Sequence, residues 1–386
     1  MRARIIVQPF GGACASRQSQ PGAQRPARRA FGRGLSLCLL ILLLGAGASA
    51  VRGETGKDWV QACANTSMTL RLGHTCIAYG GKLWVFGGVD MSHYQSNPQY
   101  LGDAWSSNSD GTSWNQVQSF AFAPRAWHTS LVFQNKMWVI GGNFESQSGS
   151  NTQDACWSTD GIAWHQATDD IGFWLLPSSR CVEFKSQIWA VNTGYDGTSP
   201  NPTYNEVWTS TDGAQWTRIA ATCPFTPRIG FSFGVFNGRL WVMGGTVSAG
   251  FVPGGNPPQT FNDVWSTTDG LDWRQETTAA AFSPRYSANL QVGGGKMWLL
   301  GGSDYSLPNL LANNEIWSSS DGKAWTEVNA AYAGGAIGPE NCAILNDKLW
   351  VIGDKTGSSP SPAMQAWYTT VDPAATVNAA AHWSLY

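Results

Sequence analysis

Five arginines recur along the chain in comparable settings: Arg71, Arg125, Arg180, Arg228 and Arg285, three of them directly after a proline. A guanidinium offers paired N–H donors that fit a carboxylate in two-pronged fashion, so a ring of them would read acidic sugars or acidic peptide side chains. In the last comparable setting Pro339-Glu340 replaces Pro-Arg, and Glu340 is the one general acid/base candidate the pattern offers. The competing expectation is that each arginine, because it recurs, braces the backbone through carbonyl groups. Two tryptophans join the candidates: Trp127, beside Arg125, and Trp174, within Ile171-Gly172-Phe173-Trp174-Leu175-Leu176. Their aromatic planes suit a sugar ring or a partner's side chain.

Little else in the sequence points to catalysis. His74, His93, His128, His165 and His382 are scattered, with no H-x-x-x-H or clustered Cys/His spacing, so no metal is expected. No G-x-S-x-G or phosphate loop occurs, and no cofactor is expected. Six cysteines follow residue 50: Cys63, Cys76, Cys156, Cys181, Cys223 and Cys342. That even number permits three disulfides in any of fifteen pairings, or buried free thiols.

What must position these residues is a repeat. Trp84, Trp138, Trp189, Trp241, Trp298 and Trp350 are spaced 54, 51, 52, 57 and 52 residues apart. Each opens onto a glycine pair or a relative of one: Gly87-Gly88, Gly141-Gly142, Gly244-Gly245, Gly301-Gly302 and the weaker Gly353-Asp354, with Asn192-Thr193-Gly194 as the exception. A third-strand tryptophan follows (Trp105, Trp157, Trp208, Trp265, Trp317, Trp367), then an Asp-Gly turn and a fourth (Trp114, Trp164, Trp216, Trp273, Trp325). With Trp59 and Trp383, 19 of the 21 tryptophans fall on this lattice, which marks them as packing residues and sets Trp127 and Trp174 apart.

Within one unit, Phe282–Trp325, the pattern reads as two apolar strands around Gly293-Gly294-Gly295, a long loop, and two more strands around Asp321-Gly322. A period near 50 residues with four strands per unit resembles the Kelch repeat, over about Thr55 to the C-terminus. The resemblance implies an all-β, six-bladed Kelch-type β-propeller, four antiparallel strands per blade, its ring closed by a terminal strand. Trp59 and Trp383 compete for that closing strand, and Thr55-Gly56-Lys57-Asp58-Trp59 favours the N-terminal one. The Ser158-Thr159-Asp160-Gly161-Ile162-Ala163-Trp164 phrase and its copies also resemble the Asp box of sialidase propellers, one residue short, which implies a hairpin brace. Galactose oxidase shares the Kelch architecture, but no stretch here matches the histidines and tyrosines of its copper site.

Alternation places the inner hairpins and Asp-Gly turns on one face. The long loops and the connections between blades fall on the other. Those loops, at 89–101, 143–153, 193–204, 246–261 and 303–312, vary as grafted recognition loops do. Cys76 and Cys342 fall early in inner strands of the first and last blades, neighbours if the ring closes at six.

Residues 1–50 read as an export signal or presequence, removed from a single 51–386 domain. They hold seven arginines and no acid, then the apolar run Leu35–Leu44 and Ala48-Ser49-Ala50. Arg28-Arg29-Ala30-Phe31-Gly32-Arg33 resembles a twin-arginine signal; an ordinary secretory signal and a bipartite organelle presequence are the alternatives. The expected location is therefore secreted, periplasmic or an organelle lumen. Without that segment, 17 basic stand against 26 acidic side chains, a formal charge of −9. That balance argues against nucleic acid and membrane insertion. The expected function is a monomeric, non-catalytic binding scaffold for a glycan or protein ligand on the long-loop face. One alternative is a carbohydrate-active enzyme of the N-acetylneuraminate epimerase (mutarotase) type, implied by architecture alone, with Glu340 as acid/base. A structural or assembly module is the other.

Overall fold

A computed structural model describes residues 55–91, 98–144, 152–175, 179–194, 203–247, 259–304, 313–332, 341–353 and 364–371. They form an all-β propeller of six blades, each a sheet of four antiparallel strands. The innermost strands are Thr75–Tyr79, Thr129–Phe133, Arg180–Phe184, Ser232–Phe236, Asn289–Gly293 and Cys342–Leu345. The expected unit Phe282–Trp325 is the fifth blade: Gly294 and Gly295, both at positive φ, turn Asn289–Gly293 into Lys296–Leu300. The sixth blade takes its outermost strand from the N-terminal end, Val60–Cys63, hydrogen-bonded to Gln365–Thr370. Trp59 is thus the closing tryptophan, while Trp383 lies outside the described residues.

The tryptophan lattice is explained by packing between neighbouring sheets. A sheet buried on both faces needs a flat, bulky filler, and each second-strand indole lies on a turn glycine of the next blade, an Asp-Gly turn in five of the six. Trp84 meets Gly161, Trp138 meets Gly213, Trp189 meets Gly270 and Trp241 meets Gly322. Trp298 meets Gly56 and Trp350 meets Gly111, which completes the circle through the N-terminal segment. These glycines cannot carry a side chain: a Cβ on Gly270 would sit 2.6 Å from Trp189, and φ there is +77°. The outer tryptophans hold the same turns from the other side, each indole N–H donating to the turn glycine's carbonyl, as Trp164 does to Gly161 at 3.0 Å. In the turn itself, Asp160 Oδ1 accepts from the backbone N–H of Ile162 and Ala163 at 2.8 and 2.9 Å, and these bonds hold its pKa below the usual carboxylate value. The core is accordingly divided into six apolar layers, one per blade interface.

Candidate binding face and axial channel

Contacts between neighbouring blades fix the two faces. Gln134, in an inner hairpin, donates to Thr211 O in the next Asp-Gly turn, and Lys185 does the same to Thr268 O. Hairpins and Asp-Gly turns therefore share one face, leaving the blade connections on the other, where the inner strands begin. Most residues of the long loops expected on that second face lie outside the described residues, as do His93 and Glu340.

Four of the five arginines are inside the blades. Arg71, Arg125, Arg228 and Arg285 are 4%, 0%, 1% and 1% exposed. Arg71 meets Asp103 through both prongs, at 2.7 and 3.0 Å, and Arg125 meets Asp154 at 2.7 Å twice. Arg228 clasps both oxygens of Asp263, and Arg285 reaches Glu315 at 2.7 Å. In each blade Nη1 also donates to the carbonyl of the first glycine of the pair: Gly87, Gly141, Gly244 or Gly301, at 2.9–3.1 Å. Positive φ at these glycines allows the chain to turn that carbonyl inward. Each guanidinium is thus a clip across its own blade, and its burial leaves it no face toward a ligand.

Arg180 is not an equivalent of the other four. Arg71, Arg125, Arg228 and Arg285 lie thirteen residues before the second-strand tryptophan, whereas Arg180 lies nine before Trp189. In all four of those blades a kink two residues after the arginine separates it from the inner strand: Gly73, Trp127, Gly230 and Ser287 all have positive φ. Arg180 instead opens its inner strand, opposite Val191, at the register of Thr75, Thr129, Ser232, Asn289 and Asn341. It is half-buried and lines the axial cavity. By the same count Leu176 takes the clip position in the third blade and Ile337 in the sixth, both outside the described residues.

The two off-lattice tryptophans lie on the connection side. Trp174 is 54% exposed. Trp127 is half-buried at φ +53°, its N–H donating to Gly73 O at 2.7 Å and its indole lying on Gly73. Tyr100 meets it edge-on with ring centroids 6.5 Å apart, an aromatic neighbour that no reading of the sequence singled out. The clip carboxylates were also missed. Their signal was present, since Asp103, Asp263 and Glu315 each precede a third-strand tryptophan by two residues and accept its indole N–H.

Two buried histidines join blades. His74 Nε2 is 3.0 Å from Ile352 O in the sixth blade, and His128 Nε2 is 2.9 Å from Thr75 Oγ1 in the first. Burial, reinforced by Arg71, pushes the His74 pKa down to about 4; burial and Arg125 hold His128 well below its ordinary value. The six cysteines in the described residues are free thiols. Burial raises Cys76 and Cys342, so both stay protonated at neutral pH.

No family model matches the chain. A Ras guanine nucleotide exchange factor F of Dictyostelium discoideum is 29% identical over 99 residues, 25% of this chain and 8% of that protein. A putative protein tag-53 of Caenorhabditis elegans is 22% identical over 326 residues, 77% of this chain and 22% of that one. Host cell factor of Drosophila melanogaster is 25% identical over 170 residues, 38% and 11% respectively. The chain thus spans less than a quarter of the length of each of these relatives.

Proposed function

We propose that this chain is an exported, Kelch-type propeller acting as a non-catalytic binding scaffold, which recognises a glycan or protein ligand on the face of the blade connections. The observation that carries the reading is the fate of the aromatics. The second-strand and outer tryptophans on the repeat lattice are spent on turn glycines and blade interfaces, whereas Trp174 breaks the lattice and keeps 54% of its surface in solvent. An indole costs free energy to leave in water, so one held on a connection, with Trp127 half-exposed on the same face, is a surface suited to a sugar ring or a partner's side chain. The −9 charge without residues 1–50 fits a soluble scaffold rather than a nucleic-acid reader. Export rests on the composition of residues 1–50, and the Kelch assignment on the period of the repeat.

The test is a glycan and peptide array with the purified protein, repeated with Trp174→Ala and Trp127→Ala. Selective binding that falls at least tenfold in Trp174→Ala, with an unchanged unfolding midpoint, is the expected result. Binding that survives both substitutions removes this face from consideration.

A further inference from the structure

Asn65-Thr66-Ser67 stands in the connection from the sixth blade to the first, just past the outermost strand Val60–Cys63. An asparagine followed two residues on by a hydroxyl, with no proline between, is the acceptor pattern for N-linked glycan transfer. It occurs once in the 386 residues, since Asn201-Pro202-Thr203 carries the excluding proline. Three residues alone are weak grounds, and the fold adds two observations.

The repeat keeps this position in solvent. Asn65 lies six residues before the clip arginine Arg71. The residues six before the other three clips, Ser119, Thr222 and Ala279, are exposed as Asn65 is. Three residues further on the chain turns inward: Met68, Phe122, Phe225 and Phe282 are all buried between blades. The same register thus holds a side chain outside in every clip blade, and only here is it an amide. The local hydrogen bonds then fix how that amide is presented. Thr66, 1% exposed, is anchored by its N–H and its hydroxyl, which donate to Met364 O at 2.9 and 3.1 Å. Asn65 Oδ1 accepts the Ser67 N–H at 2.8 Å, in a turn that places Ser67 at φ +65°. Its backbone carbonyl accepts from Cys63 Sγ at 3.1 Å. Among the described residues no hydrogen bond holds Asn65 Nδ2, the atom to be glycosylated. A glycan is bulky and strongly hydrated, so the finished fold tolerates it only where the asparagine stands outside close packing.

We infer that Asn65 is an N-glycosylation site whose donor is a lipid diphosphate-linked oligosaccharide. In the transfer a bond forms between Asn65 Nδ2 and C1 of the first sugar, and the C1–O bond to the diphosphate breaks. The lipid diphosphate departs with that electron pair and, in net, takes up the proton the amide gives up. The inference rests on export by a secretory route, where such donors meet the entering chain. The glycan covers the rim beside Val60–Cys63, which among the described residues pairs only with Gln365–Thr370 and leaves Val60 46% exposed. An uncovered strand edge invites pairing with another chain, so the sugar shields the place where the ring closes.

The test translates the full chain in the presence of endoplasmic-reticulum microsomes. Protection from added protease reads export. A mobility shift removed by an amidase that releases N-linked glycans reads the sugar, and mass spectrometry of the aspartate left behind places it. The expected result is a protected chain with one shift, lost entirely in Asn65→Gln and in Ser67→Ala and kept in Ser67→Thr. Ser67→Ala retains the asparagine, and so serves should Asn65→Gln fail to fold. A protected chain without a shift overturns the site and leaves export standing. An unprotected, unshifted chain overturns both, and a shift that survives in Asn65→Gln overturns the assignment to Asn65.

Discussion

The first, second, fourth and fifth blades carry the arginine clip; among the described residues the third and sixth show none, and by blade order they stand opposite each other in the ring. In a clip blade three features occur together: the arginine, an acid near the third-strand tryptophan, and a glycine pair that aims a carbonyl at the guanidinium. The third blade lacks the glycine pair and, among the described residues, the arginine, and it keeps the acid with a different partner. Its acid, Glu206, is taken instead by Arg218 at 2.7 Å and the Trp208 indole at 2.9 Å. Its second strand pairs with the third in continuous register from Ile188 to Gly194, whereas in the first blade the register shifts between Phe86 and Gly88, where the Gly87 carbonyl is turned to Arg71. In the sixth blade the acid becomes Gln365, bonded to Gln61 and Trp367. The lesson is that a repeated residue with a repeated partner belongs to the scaffold, and that a charge standing outside the repeat, as Arg180 does, needs a separate explanation.

That comparison is broken most directly by removing clips. Arg228→Met leaves a buried Asp263 without its countercharge, and should cost about 3–5 kcal/mol in denaturant unfolding. Arg180→Met, at a half-buried site on the channel wall, should cost about 1 kcal/mol or less. Equal losses would erase the distinction between the two kinds of arginine.

The next effect is on pH. His74 and His128 are buried neutral in the folded ring, with His74 lowered to about 4 from an ordinary value near 6.5. Below about 6.5 the unfolded chain binds protons that the folded chain refuses. Their contribution is therefore complete above pH ~6.5 and fades as pH falls toward 4, with His74 alone accounting for roughly 3 kcal/mol. His74→Gln should flatten this part of the stability profile; an unchanged slope would dissociate the histidine from ring closure.

Turn glycines give a smaller contrast. Gly270→Ala meets Trp189 as well as an unfavourable φ of +77°, and should cost at least ~2 kcal/mol. Gly172→Ala, at φ +82° with open space around it, should cost only the backbone strain of about 1 kcal/mol. Thermal unfolding of the pair isolates the packing share. The smallest effect belongs to the clipless third blade: Arg218 is half exposed, so Arg218→Ala should move stability by about 1 kcal/mol or less. A loss there as large as in Arg228→Met would mean that the third blade has rebuilt its clip with a different residue.

Much of the fold was legible because packing between identical sheets imposes identical demands. A flat indole against a glycine turn is needed at every interface, so the tryptophan period gave the blade number, and the Thr55–Trp59 phrase gave the closing strand. The site was less legible. Arg180 looked like a fifth copy because it begins a strand after a loop, although its nine-residue spacing to Trp189, against thirteen elsewhere, carried the distinction.

The sequence by itself determined the repeat, the six-fold ring and the tryptophans' role, since each is written in residue type and period. Only the tertiary structure decided which arginines are buried as clips and which one borders the channel. The reason is that each partner acid lies about thirty residues away, across three strands, and whether a charge meets a carboxylate or an open cavity depends on how the sheet brings those strands together.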